Sequence, residues 1–152
     1  MTGIEIQGAD KLARVAKALR QAGDKELSKE LYKALNRATK PMRAEAKKAA
    51  ASKLPRAGGL NKRVARARMS TRRRAGKDPG VKIVATGMEQ LAMTDQGHVR
   101  HPVWGNRGRW VNQPIPQAKG WFTEPMEAGA ANARREIVKA IDDVAKKIAH
   151  KQ

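Results

Sequence analysis

The chain has 152 residues, 33 Lys and Arg against 14 Asp and Glu, and no cysteine, for a formal net charge of +19. The length fits a single domain, residues 1–152, large enough to bury a core. Without cysteine there are no disulfides or thiolate metal sites, and no run of about 18 apolar residues is present to span a membrane. The charge is concentrated: residues 51–80 hold ten Lys and Arg and one acid. Such an excess favours polyanions or acidic neighbours. The opening MTGIEIQGADKL has no charged segment leading into an apolar one, so no secretion signal is expected, and a reducing cytoplasm suits the composition.

In chain order, Ile4-Glu5-Ile6 alternates as a brief edge strand would. Asp10 stands at an N-cap position ahead of Leu12, Val15, Ala16 and Leu19, which keep helical spacing. Gly23 should end that helix and Asp24 should cap the next, whose apolar stripe is Leu27, Leu31, Leu35, Ala38 and Met42. Pro41 predicts a kink or boundary near Lys40. The alanine-rich run to Ser52 favours helix but carries little apolar bulk. Leu54-Pro55-Arg56-Ala57-Gly58-Gly59-Leu60 is a break. The stretch after it, NKRVARARMSTRRRAGKDPG, is thin in apolar residues, and residues 61–77 are expected to form a solvated, mobile basic loop.

Asp78-Pro79-Gly80 is turn chemistry, Val81 to Thr86 reads as a strand, and Gly87 closes it. Gln90-Leu91-Ala92-Met93 fits a second short strand or a turn of helix equally well. The segment from His98 to Phe122 holds all three tryptophans (Trp104, Trp110, Trp121) and the only phenylalanine, Phe122. Large aromatics supply the most apolar burial per residue. This loop-rich segment is therefore expected to be the packing centre of the domain, with these four residues as packing or interface anchors. Thr123 is placed to cap a final helix, in which Met126, Ala130, Ala133, Ile137, Ile141, Val144 and Ile148 follow the 3.6-residue period. Lys146, Lys147 and His150 suit the negative end of its dipole.

Catalytic patterns are absent. His98 and His101 supply two ligands of the four a closed metal site needs, with Asp95 the only carboxylate nearby in sequence. Of the three serines, Ser28 and Ser70 lie on a helix surface and in the basic run, away from any histidine–acid pair, and Ser52 closes the alanine-rich run. Gly105-Asn106-Arg107-Gly108 follows no predicted strand and opens no helix, so it does not read as a phosphate loop. No cofactor, metal or enzymatic activity is expected. Arg66, Arg68, Arg72, Arg73 and Arg74, with Lys62 and Arg63 before them, are the strongest electrostatic feature. At this density they neutralise phosphates without reading sequence. Base stacking would interleave aromatics with basic residues, and this basic run lies apart from the tryptophans.

Several fragments together resemble the neck proteins of long-tailed bacteriophages, the head–tail connector or tail-completion components. They are the helix GADKLARVAKALRQAGDKELSKELYKALNRATKPMRAEAKKAA, the break LPRAGGLNKRVARA, the strand VKIVA, and RHPVWGNRGRWVNQPIPQAKGWF running into an amphipathic helix. The most specific fragment is Arg100-His101-Pro102-Val103-Trp104-Gly105 with Trp110-Val111 and Gly120-Trp121-Phe122. The resemblance implies an α+β domain, with long N-terminal helices and a C-terminal amphipathic helix packed on a small antiparallel sheet. It implies a homo-oligomeric, hexameric ring around the axial DNA channel in the virion, assembled from subunits made in the host cytoplasm. Neighbours would be a head-side connector or stopper protein and a tail terminator or tail tube protein. Arg66, Arg68, Arg72, Arg73 and Arg74 would face channel DNA or an adjoining ring, with only non-specific contact to the genome and none to a membrane. The alternative reading is a ribosomal or nucleoid-like protein binding nucleic acid by phosphate neutralisation.

Overall fold

Two long antiparallel helices form the frame of the molecule. The structure is a computed structural model and describes residues 9–74, 80–88 and 90–151. Along the chain, α1 (Ala9–Ala22) and α2 (Lys25–Lys53) lead into a 3-10 turn (Ala57–Gly59) and the short α3 (Leu60–Ala65). Strands β1 (Met69–Arg74) and β2 (Gly80–Ala85) follow, then α4 (Leu91–Asp95), β3 (His98–Val103) and β4 (Asn106–Pro114). A second 3-10 turn (Pro116–Ala118) precedes α5 (Thr123–His150). The protein is α+β, with two separate two-stranded antiparallel sheets, β1–β2 and β3–β4, in place of one small sheet. The expected strand at Ile4–Ile6 lies outside the described residues.

Asp24 caps α2: its Oδ1 accepts the Leu27 amide at 3.0 Å, satisfying a donor the first turn cannot. Gly23 has φ of 65°, a left-handed conformation suited to the residue after a helix. Asp10 is not a cap, because α1 is already under way at Ala9. The stripe Leu27, Leu31, Leu35, Ala38, Met42 is buried as its spacing requires, and Ala46 and Ala50 extend it. Gly129 of α5 lies close against this stripe. At Gly129 a Cβ would meet Met42 Cγ at 2.5 Å.

Pro41 lies inside α2 without ending it. The turn ahead of it receives side-chain donors: Thr39 Oγ1 bonds the Leu35 carbonyl at 3.1 Å, and Arg43 Nη2 bonds the Asn36 carbonyl at 2.9 Å. Packing against α5 and β1 holds the rest of the helix in register. Ion pairs join the facing ends of α2 and α5. Asp24 meets Lys151 at 2.8 Å and Glu30 meets Lys147 at one end, while Lys53 meets Glu124 at 2.9 Å at the other.

Apolar residues pack in two neighbouring clusters along this pair. One joins Leu12, Val15 and Leu19 of α1 to Leu31, Ile137, Ile141 and Val81. The other gathers Met42, Val64, Met69, Ile83, Leu91, Ile115, Trp121, Phe122 and Met126. In α5 the predicted stripe is buried at Met126, Ala133, Ile137, Ile141 and Val144 and partly buried at Ala130 and Ile148.

The expected loop at 61–77 is a correction. Residues 61–65 of it are helix and 69–74 are strand, and only 75–77 of the segment lie outside the described residues. Few apolar residues suffice because each is well placed. Val64 is fully buried, Met69 and Thr71 face inward, and the strand pairs with Val81 and Ile83. Thr71 Oγ1 is 2.5 Å from Thr39 Oγ1, and Tyr32 Oη donates to the Thr71 carbonyl at 2.7 Å. Arg43 Nη1 donates to the Met69 carbonyl at 3.1 Å, so α2 supplies polar partners along β1.

Candidate functional site

The basic residues singled out from sequence fall on this helix–strand unit. Arg66 and Arg68 are exposed on the link between α3 and β1, and Arg72 is exposed on β1. Arg73 and Arg74 belong to β1 by their backbone, opposite Val81 and Gly80, and their side chains lie outside the described ones. The surface is therefore carried on ordered backbone, with Lys62 and Arg63 exposed on the adjoining α3.

The aromatic segment divides in two. Trp121 and Phe122 are buried, edge to face with centroids 5.6 Å apart. The indole N–H of Trp121 donates to Thr94 Oγ1 at 3.1 Å, and Thr94 Oγ1 donates to the Leu91 carbonyl at 3.0 Å. A buried tryptophan needs such a partner, and the chain Trp121–Thr94–Leu91 ties α4 to the start of α5. These two residues act as packing anchors.

Trp104 and Trp110 do not. They stand on the β3–β4 hairpin, which forms an arm where a loop-rich packing centre was expected. Trp104 is 100% exposed at its tip and Trp110 is 45% exposed along its side. Every residue of β4 is exposed, and no further strand pairs with it among the described residues. Aromatic content alone cannot separate a core ring from one held outward. The strand and turn pattern around it decides. Trp104 has φ of 49° and Gly105 has φ of 75°, so both residues of the tight turn are left-handed. Glycine accepts this freely, whereas a tryptophan there is an uncommon and costly choice. Gly105-Asn106-Arg107-Gly108 thus follows a strand after all, as the turn and first residues of β4.

Around Trp110 the arm is organised by hydrogen bonds. Its indole N–H donates to the Arg107 carbonyl at 2.7 Å, and the Arg100 guanidinium lies 5.5 Å from its ring centroid. Gln90 bonds both backbone groups of Arg100, accepting from its N–H and donating to its carbonyl, each at 3.1 Å. This clasps the outer edge of β3 to the body. Between the arm and the corner formed by α3 and the β2–α4 link lies an open groove of about 840 Å³. Arg63, Arg100, Trp110, His101, Met88 and Val99 are among its lining residues. No lining residue is acidic among the described residues.

His98 and His101 sit three apart on one strand, which turns their side chains to opposite faces. His101 is held by its neighbours: Nε2 lies 3.0 Å from Gln113 Oε1, and Nδ1 lies 3.1 Å from the Pro102 carbonyl. Among the described residues no group of three or more His, Asp or Glu side chains is placed to hold a metal. Ser28 and Ser70 lie on α2 and β1. The sequence reading missed Arg63 and Arg100 as companions of Trp110. The signal was the alternation of arginine and tryptophan between Arg100 and Trp110, overshadowed by the denser run before it. Compared with protein families, curated proteins and solved structures, the chain matches none.

Proposed function

We propose that the chain is a structural subunit of the neck of a long-tailed bacteriophage, a tail-completion or head–tail joining protein that acts by assembly and not by catalysis. In this reading identical subunits form a ring, six in number by the resemblance, around the DNA channel. The head-side neighbour is a connector or stopper protein and the tail-side neighbour a terminator or tail tube protein. The subunit is made in the host cytoplasm and resides in the virion.

The observation that carries the reading is the β3–β4 arm. A nine-residue strand exposed along its whole length, beginning just after a fully exposed tryptophan, pairs with β3 but adds no buried residue to the core. Exposed large aromatics mark contact surfaces. A rigid helical frame bearing an outward arm and a basic face suits a part that meets several neighbours around DNA. The fold agrees with what the resemblance implies, a C-terminal helix packed with long N-terminal helices and short antiparallel strands.

Infections lacking the chain should accumulate separate heads and tails, and purified chain should restore their joining in an extract. Normal joining in its absence would overturn the assignment.

A further inference from the structure

We infer that the β3–β4 arm and the groove beneath it bind single-stranded nucleic acid, with Trp104 and Trp110 meeting bases and Arg63 and Arg100 meeting phosphates. The inference does not depend on ring assembly, since every residue it uses belongs to one subunit.

Three observations converge. The first is charge: from Gln96 to Thr123 the chain has Arg100, Arg107, Arg109 and Lys119 and no acid. Arg63 reaches the same groove from α3. A cleft with only basic and neutral lining among the described residues suits a polyanion better than a mixed-charge protein face. The second is the pairing of aromatic and cationic groups. Arg100 already lies against one face of Trp110, and the Arg107 carbonyl fixes the indole, so ring and guanidinium are pre-oriented. Aromatic rings interleaved with arginines form the platform on which unpaired bases stack. The third is Trp104 itself. A bulky residue in a left-handed turn position, fully exposed, is a conformation whose cost points to a contact made outside the chain.

The ligand is assigned as a single strand because stacking needs free base faces, which an intact duplex hides. A duplex would engage the arginines alone. An acidic protein segment would satisfy the charge but would leave the ring faces without flat partners.

The test is titration of the full-length chain with an oligothymidylate of about a dozen nucleotides, read by tryptophan fluorescence. A duplex of equal length and polyglutamate serve as comparison probes. Oligothymidylate should quench emission, and Trp104→Ala and Trp110→Ala should each weaken its binding by roughly 5- to 150-fold. Trp104→Phe should retain most of the affinity. Both tryptophans are outside the core, so unchanged circular dichroism is expected to accompany the loss. Lys139→Gln, at an exposed position of α5 away from the arm, should leave the quenching intact. Equal affinity of wild type and both alanine variants would overturn the inference, as would equal quenching by polyglutamate. If Trp104→Ala abolishes self-association while oligothymidylate binding persists, the arm is a subunit interface and the inference fails, though the ring reading stands. Quenching without any ring would leave this inference standing and count against the ring.

Discussion

Asp95, the last residue of α4, holds Thr123, the first residue of α5. Its Oδ1 accepts the amides of Phe122 at 2.8 Å and Thr123 at 3.0 Å, and its Oδ2 accepts the Thr123 hydroxyl. Thr123 was expected to cap its own helix, but a carboxylate from elsewhere performs the task, and negative charge there also suits the helix dipole. Asp95→Ala should therefore destabilise the protein by about 1–2 kcal/mol. Asp95→Asn, which retains an acceptor, should lose less. Chemical denaturation of both variants measures the difference, and equal losses would show that the cap is not what Asp95 contributes.

The tryptophans should behave as two classes. Trp121→Ala empties a fully buried site and strands Thr94, so a loss of about 3–5 kcal/mol is expected. Trp104→Ala removes no internal contact and should leave the melting temperature within about a degree or two, in keeping with a surface change of under roughly 0.5 kcal/mol.

Close approach of α2 and α5 predicts a third result. Gly129→Ala raises intrinsic helix propensity by about 1 kcal/mol but forces the new methyl onto Met42, which is itself buried. Overpacking typically costs about 1–3 kcal/mol, so the variant should be neutral to destabilised. Shortening Met42 in the same protein should make the alanine at 129 better tolerated. A double-mutant cycle reports that coupling, and strict additivity would mean the helices can move apart.

Acid stability carries a signature of Asp24. The Leu27 amide, and then Lys151, hold its carboxyl below the ordinary Asp range. A carboxylate with a depressed folded-state pKa contributes stability that is present above its unfolded pKa and lost as pH falls through the folded one. The wild type should thus lose stability relative to Asp24→Asn as pH drops from about 5 toward 2, because asparagine still caps but does not titrate. Parallel melting curves for the two proteins across that range would contradict this.

The basic face can be tested without disturbing the core. Arg66, Arg68 and Arg72 are exposed, and phosphate attraction depends on charge more than on guanidinium geometry. Replacing Arg66, Arg68, Arg72, Arg73 and Arg74 by Lys should leave the joining of heads to tails nearly normal, while replacement by Gln should weaken it. Loss with Lys as severe as with Gln would indicate paired carboxylates on a neighbouring ring. Amides of the β1–β2 ladder should exchange slowly even in the isolated chain, because they are paired there.

The helical frame was readable from sequence because its signals are local. Asp24, Gly23 and the spacings Leu27 to Met42 and Met126 to Ile148 each act within a turn or two. What escaped depends on partners far along the chain. β1 is a strand because Thr39, Tyr32 and Arg43 of α2 supply its hydrogen bonds, and nothing within MSTRRR announces them. Asp95 was weighed only as a metal ligand, since its role needs residues 27 and 28 positions away. The aromatic cluster looked uniform because burial follows strand register and turn geometry, which place Trp121 inside and Trp104 outside.

The central claim is that this chain is built to assemble around DNA as a ring. Negative-stain imaging of the purified protein, alone and mixed with isolated tails, tests it most directly. The account predicts discrete rings with an axial opening, free or seated at the head-proximal end of tails. Particles that remain single subunits at all concentrations, with tail ends left bare, would contradict it.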